Sequence, residues 1–117
     1  MKRWMVAIAI VAAAAAATGC GDSGPVREVS VTMGPGMIFT PSEITGTVGE
    51  RLLIKVVNAD DTLDHDMVVA GSRVRLHSGQ SGQLTVSLKK AGTQDIRCTL
   101  PGHTEAGMVG VLKVVAQ

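Results

Sequence analysis

A short stretch near the C-terminus carries the side chains best suited to binding a metal. Cys98 is followed after four residues by His103 and after four more by Met108, and His65 lies upstream. A thiolate, two imidazoles and a thioether are soft or borderline ligands. A set of two histidines and a cysteine with a weak axial methionine is typical of blue-copper sites that transfer electrons. The four residues therefore predict one copper ion that alternates between Cu(II) and Cu(I).

Other interpretations of these residues are open when each is taken alone. A single cysteine can be an inert core residue, and a single histidine can be a hydrogen-bonded loop residue. Zinc is an alternative metal, because two histidines and a cysteine also bind it. A zinc site would, however, be expected to take oxygen or water rather than methionine as its fourth ligand. Together the four residues favour copper.

The segments that must position these ligands have the residue period of a β-sheet. Polar and apolar residues alternate with period two, and turn residues such as glycine and proline separate the segments. The predicted strands occupy residues 29–33, 44–48, 51–57, 67–70, 84–88, 94–98 and 109–115. This spacing predicts an all-β domain, a Greek-key β-sandwich of seven or eight strands.

The same period places the candidate ligands on this framework. Ile96 and Cys98 point inward together, so Cys98 closes a strand. The loop after it contains turn residues and returns His103 and Met108 before the last strand begins. His65 starts another strand after a polar loop. We therefore expect two loops at one end of the sandwich to supply all four ligands.

The N-terminus has the order of an export signal. Lys2 and Arg3 precede an apolar run over residues 4–17, and small residues then lead to Cys20. The run is shorter than the roughly 20 residues of a spanning helix. A cysteine after small residues resembles the bacterial lipoprotein cleavage box, in which that cysteine is acylated. The alternative is a plain secretory signal, with Cys20 free or in a disulfide bond with Cys98.

The resulting division of the chain is a signal, a tether and one domain. We predict an export signal at 1–19, a lipidated Cys20 with a tether at 20–26, and a copper domain at 27–117. Removing Lys2 and Arg3 leaves nine basic and ten acidic residues, a net charge of about −1. That balance gives no basic surplus for nucleic acid. We expect a monomer held to a membrane by its lipid, on the periplasmic or extracytoplasmic face of a bacterial cell envelope.

The ligand region also resembles a known family. The segment from Gly92 through Cys98 to Met108, with its Pro-Gly-His and Gly-Met-Val-Gly elements, is similar to the cupredoxin family of blue copper proteins, closest to the plastocyanin, auracyanin and rusticyanin type. The likeness runs over residues 28–115. It implies a cupredoxin-like fold, with His65 and His103 as imidazole ligands, Cys98 as the thiolate and Met108 as the long axial contact.

The resemblance implies a function as well. A type 1 copper site with a full ligand set leaves no open position for a substrate, so we expect a one-electron carrier between a redox donor and an acceptor rather than an enzyme. Copper enzymes of this fold carry a histidine beside the cysteine, whereas Arg97 and Thr99 flank Cys98. Copper delivery or storage in the cell envelope is the alternative.

Acidic residues crowd the segment around His65, at positions 60, 61, 64 and 66. We interpret them as a solvated face; the alternative is an acidic patch that docks a cationic partner or tunes the copper. Asp66 stands where the family commonly has an asparagine that ties the two ligand loops together. We expect Asp66 to accept the same hydrogen bonds and to add a negative charge. His77 is predicted to lie on the surface.

Overall fold

The computed structural model describes residues 25–117, which form nine strands. The strands are β1 (Val26–Met33), β2 (Phe39–Thr40), β3 (Glu43–Thr47), β4 (Arg51–Asn58), β5 (His65–Val69), β6 (Ser72–Leu76), β7 (Ser81–Ser87), β8 (Gly92–Arg97) and β9 (Val109–Val115). Within this range no helix has the length and apolarity needed to cross a membrane. The predicted export signal and Cys20 lie outside the described residues.

The strands form two sheets that pack as a sandwich. The first sheet has the order β2-β1-β4-β7 and the second the order β3-β9-β8-β5-β6. The β1–β4 and β3–β9 pairs are parallel, and the other pairs are antiparallel. This architecture confirms the predicted all-β Greek-key sandwich.

The strand count is nine rather than the predicted seven or eight. β2 has only two residues, which is too short for a period to be recognised in the sequence. The period-two pattern of β6 is weak, because the residue between the exposed Arg73 and Arg75 is Val74, which is itself only half-buried. An edge strand with one exposed face needs few apolar residues, so its sequence gave little indication of a strand.

The core between the sheets is built from aliphatic side chains and one aromatic ring. Leu52, Ile54 and Val56 on β4 are fully buried, and Lys55 between them is exposed, as period two requires. Phe39 is the single buried aromatic residue of the described core. Met67 and Ile96 are buried two residues from His65 and Cys98 respectively, so close-packed core residues support the candidate ligands directly.

A glycine at the start of β9 allows the close approach that anchors the end of the ligand loop. A Cβ atom at Gly110 would lie 2.5 Å from the backbone oxygen of Ser42. The neighbouring Val111 donates its N–H to that same oxygen over 2.8 Å. The oxygen belongs to the backbone and cannot move aside as a side chain could. The parallel pairing of β3 with β9 therefore requires glycine here.

We predict that Gly110→Ala lowers the free energy of unfolding by about 1–3 kcal/mol, because the added methyl group overpacks this contact. Urea unfolding of the copper-free protein, followed by circular dichroism, measures the change. Gln94→Ala, an exposed position on the adjacent strand, is the control and should stay within about 0.5 kcal/mol of wild type. Equal stability of Gly110→Ala and the control would contradict the packing argument.

Candidate metal centre

Two strand ends and one loop bring the candidate ligands to the same end of the sandwich. His65 is the first residue of β5, and Cys98 directly follows the last residue of β8. Because β5 and β8 are antiparallel neighbours, the start of one lies beside the end of the other. The loop after Cys98 leads into β9, which pairs with the other side of β8.

The structure brings together the donor atoms of His65, Cys98 and His103. Nδ1 of His65 lies 3.2 Å from Nδ1 of His103, and Sγ of Cys98 lies 3.3 Å from that same nitrogen. All three donor atoms fall within 4.8 Å of one another. His65 and Cys98 are 0% exposed, whereas His103 keeps 9% of its surface. Two rings and one sulfur therefore face a common point from separate parts of the chain.

The loop from Cys98 to Met108 is closed by backbone hydrogen bonds. Cys98 donates its N–H to the oxygen of Met108 over 3.2 Å, and Met108 donates to the oxygen of His103 over 3.0 Å. Gly102 and Gly107 take positive φ angles of 81° and 99°, which glycine adopts without strain. Met108 is fully buried at the end of the loop. Its backbone thus contacts both the cysteine and the histidine of the cluster.

Asp66 ties the two ligand segments together, which confirms the expected hydrogen bonds. Its N–H points at Sγ of Cys98 over 3.4 Å, and its Oδ1 accepts the N–H of Thr99 over 2.6 Å. Oδ2 accepts from the Thr99 hydroxyl and from Nε of Arg73. Burial opposes ionisation, but the bonds from Thr99 and Arg73 outweigh it and hold the pKa of the Asp66 carboxyl below its ordinary value.

A second buried carboxylate, that of Asp60, contacts the other ring nitrogen of His65, Nε2. Its Oδ2 lies 3.2 Å from Nε2 of His65 and accepts the N–H of Gly36 over 3.0 Å. The N–H groups of Thr62 and Leu63 donate to Oδ1. The bond from Gly36 and then that from Thr62 contribute most to holding the pKa of the Asp60 carboxyl far below its ordinary value.

The prediction of a solvated acidic face is therefore wrong for two of its four members. Asp60 and Asp66 are buried, while Asp61 is exposed and Asp64 is half-buried. Asp60 and Asp66 are held in the interior partly by residues distant in the sequence, Gly36 and Thr99 respectively. No local period distinguishes these two carboxylates from the other two. His77 lies on the surface as predicted and bonds to Asp64. Sequence reasoning also missed Arg73, because β6 was not predicted.

The chemistry of the cluster fits a soft metal ion. Burial raises the pKa of the Cys98 thiol, although backbone N–H groups of Asp66 and Leu100 bond to its sulfur. A metal that binds there would displace the thiol proton. Two imidazole nitrogens and one sulfur suit copper or zinc, and a buried thioether next in the loop favours copper.

The sequence is similar to that of a known copper protein. The chain is 30% identical to the copper-resistant cuproprotein CopI of Rubrivivax gelatinosus, over an alignment that covers 80% of this chain and 70% of that protein. No family model matches the chain.

Solved structures share the fold at lower identity. Auracyanin of Roseiflexus castenholzii superimposes with a TM-score of 0.71 at 20% identity, covering 79% of this chain and 99% of that one. Auracyanin A of Chloroflexus aurantiacus gives 0.68 at 19%, covering 76% and 98%. The copper nitrite reductase of Nitrosomonas europaea gives 0.69 at 16%, covering 79% of this chain but 42% of that enzyme.

We predict that Asp66→Asn destabilises the copper-free protein at pH 7 by about 1–3 kcal/mol, because buried hydrogen bonds to a charged group are weakened. The lowered pKa means that this stabilisation exists above the ordinary carboxyl pKa near 3.9 and disappears as pH falls through the folded-state value. The deficit of the variant should therefore shrink below about pH 4.

Urea unfolding by circular dichroism at several pH values between 7 and 3 tests this expectation. Asp61→Asn removes an exposed carboxylate from the same segment and should leave the stability nearly unchanged at each pH. A deficit for Asp66→Asn that is absent at pH 7, or that stays constant into acid, would contradict the role given to the ionised carboxylate.

Proposed function

The chain belongs to the cupredoxin family, and from this premise we propose that it is a type 1 blue copper protein that carries single electrons between two redox proteins. The observation that carries the proposal is the convergence of the Cys98 sulfur and the Nδ1 atoms of His65 and His103 within 4.8 Å, almost wholly buried. Such a set binds copper and shields it from solvent.

In this proposal each ligand has a distinct role. His65, Cys98 and His103 would hold one copper ion, and Met108 would be its weak fourth ligand. Bound copper supplies a one-electron Cu(II)/Cu(I) couple. The chain holds the ligand positions through the Asp66–Thr99 bonds and the closed loop from Cys98 to Met108. Fixed ligands allow the metal to change oxidation state with little movement of the protein.

The proposed exit for the electron is the edge of His103. It is the one member of the cluster that reaches the surface, with 9% exposure. Leu100, Pro101 and Ala106 from the same loop are half-buried or exposed near it in the sequence. Met108 is fully buried and does not belong to this apolar surface. A small apolar surface suits a transient contact with a donor or an acceptor.

The residues beside Cys98 favour an electron carrier over an enzyme. Arg97 and Thr99 flank Cys98, where copper enzymes of this fold are expected to carry a histidine for a second metal. We therefore propose electron transfer without substrate turnover.

Copper resistance through delivery or storage is the second candidate. It is favoured by the name of the curated relative, a copper-resistant cuproprotein. The two candidates differ in what leaves the protein. A carrier keeps its copper through repeated reduction and oxidation, whereas a delivery protein surrenders Cu(I) to a competing ligand. Retention of copper over such cycles in the presence of a Cu(I) chelator separates them.

We predict that Cu(II) gives the protein an intense visible thiolate charge-transfer band and that Cys98→Ser abolishes it, because the band requires a Cu–S bond. The absorption spectrum of a stoichiometric copper titration measures this. The chain outside the predicted signal has no Trp or Tyr, so the ultraviolet background is low. Cys20→Ser is the control and should keep the band. A colourless wild-type complex would contradict the proposed function.

We also propose that Cys20 is acylated and tethers the copper domain to a membrane of the bacterial cell envelope. More than one acyl chain is needed for stable anchoring. In cells, wild-type protein should sediment with membranes, and Cys20→Ser should move it to the soluble fraction while the copper band persists. Membrane association that survives the substitution would contradict lipidation at this residue.

A further inference from the structure

We propose that Asp60 is a positioning residue for His65, which it holds in the tautomer that presents Nδ1 to the copper while its charge favours Cu(II) over Cu(I). The effect of the Asp60 charge on copper rests on the proposed function. The tautomer of His65 is a property of the copper-free chain and does not depend on that function. Asp60 lies five residues before His65, in the loop between β4 and β5.

The geometry assigns different tasks to the two ring nitrogens of His65. Nε2 lies 3.2 Å from Oδ2 of Asp60, and Nδ1 lies 3.2 Å from Nδ1 of His103. An ionised carboxylate accepts hydrogen bonds and donates none, so the ring hydrogen must be on Nε2. The lone pair of Nδ1 then points into the cluster. A carboxylate bonded to the far nitrogen of a ligand histidine fixes the ring and raises its basicity.

The carboxylate is itself held in place by three backbone N–H groups. Gly36 donates to Oδ2 from the β1–β2 loop, while Thr62 and Leu63 donate to Oδ1 from the chain just beyond Asp60. The Asp60 N–H donates to Oδ1 of Asn58 over 3.0 Å. At 8% exposure, Asp60 has little freedom to turn away from the ring. Its position is therefore preorganised before any metal binds.

A close backbone contact covers the Asp60–His65 pair. Gly34, at a φ of 74°, lies so near that an added Cβ would be 3.2 Å from Oδ2 of Asp60 and 3.3 Å from Nε2 of His65. The β1–β2 loop thus packs directly on this hydrogen bond. Shielding from water strengthens the interaction between the carboxylate and the ring.

The charge of Asp60 is less compensated than that of the other buried carboxylate. Asp66 forms an ion pair with Arg73 at 2.8 Å. Within residues 25–117, Asp60 pairs with no lysine or arginine, and its charged-group contact is the His65 ring. An anion without a counterion beside a ligand stabilises the more positive metal ion. Asp60 is therefore the carboxylate expected to lower the reduction potential.

The tautomer is tested first on wild-type protein without copper. Long-range 1H–15N correlation spectra of the histidine rings, recorded above pH 7, distinguish a hydrogen on Nε2 from one on Nδ1. We expect the Nε2–H form for His65. A hydrogen on Nδ1 would overturn the proposal, and this measurement needs neither a variant nor a blue site.

The charge is tested by Asp60→Asn against Asp61→Asn, which removes an equal charge from an exposed neighbour. We expect Asp60→Asn to weaken copper binding by roughly 10- to 100-fold. Its ratio of Cu(II) to Cu(I) affinity should fall about tenfold, an upward potential shift of about 59 mV for one electron. Equal potentials for the two variants would overturn the charge role. If the wild-type protein forms no blue copper site, the proposed function is wrong. The spectra of the copper-free protein would still decide whether His65 has the tautomer expected from Asp60.

Discussion

The burial of two imidazoles and a thiol at one end of an aliphatic sandwich is the constraint on which the rest of this structure depends. Buried polar groups are costly unless they are hydrogen-bonded. Asp60 supplies a partner to His65, and Asp66 supplies its N–H to Cys98. In the part of the chain that is described, every buried side-chain nitrogen and oxygen has a hydrogen-bond partner. The cluster is thus stabilised by a network that also orients it.

The two sheets contribute rigidity to that network. His65 and Cys98 are attached to neighbouring strands whose next inward residues, Met67 and Ile96, belong to the close-packed core. The loop that returns His103 and Met108 is closed by its own backbone hydrogen bonds. A site held in this way suits a metal that gains and loses an electron, because little protein rearrangement is required. His103 is the proposed exit for the electron because it is the one partly exposed member of the cluster.

Local sequence patterns predicted the fold class and the ligand loop, but not the residues around the ligands. Period-two alternation identified the main strands, and the spacing of Cys98, His103 and Met108 is local enough to be read from the chain. The partners of Asp60 are partly long-range, since Gly36 lies 24 residues away. Burial that depends on such contacts has no local signature, so Asp60 and Asp66 could not be told from the exposed Asp61.

X-ray absorption spectroscopy at the copper edge tests the central claim most directly, because it counts the atoms bound to the metal. For the copper-loaded protein we predict a first shell of two imidazole nitrogens and one short sulfur, assigned to His65, His103 and Cys98, in both oxidation states. A first shell of oxygen and nitrogen alone, or one that keeps its short sulfur after Cys98→Ser, would contradict it.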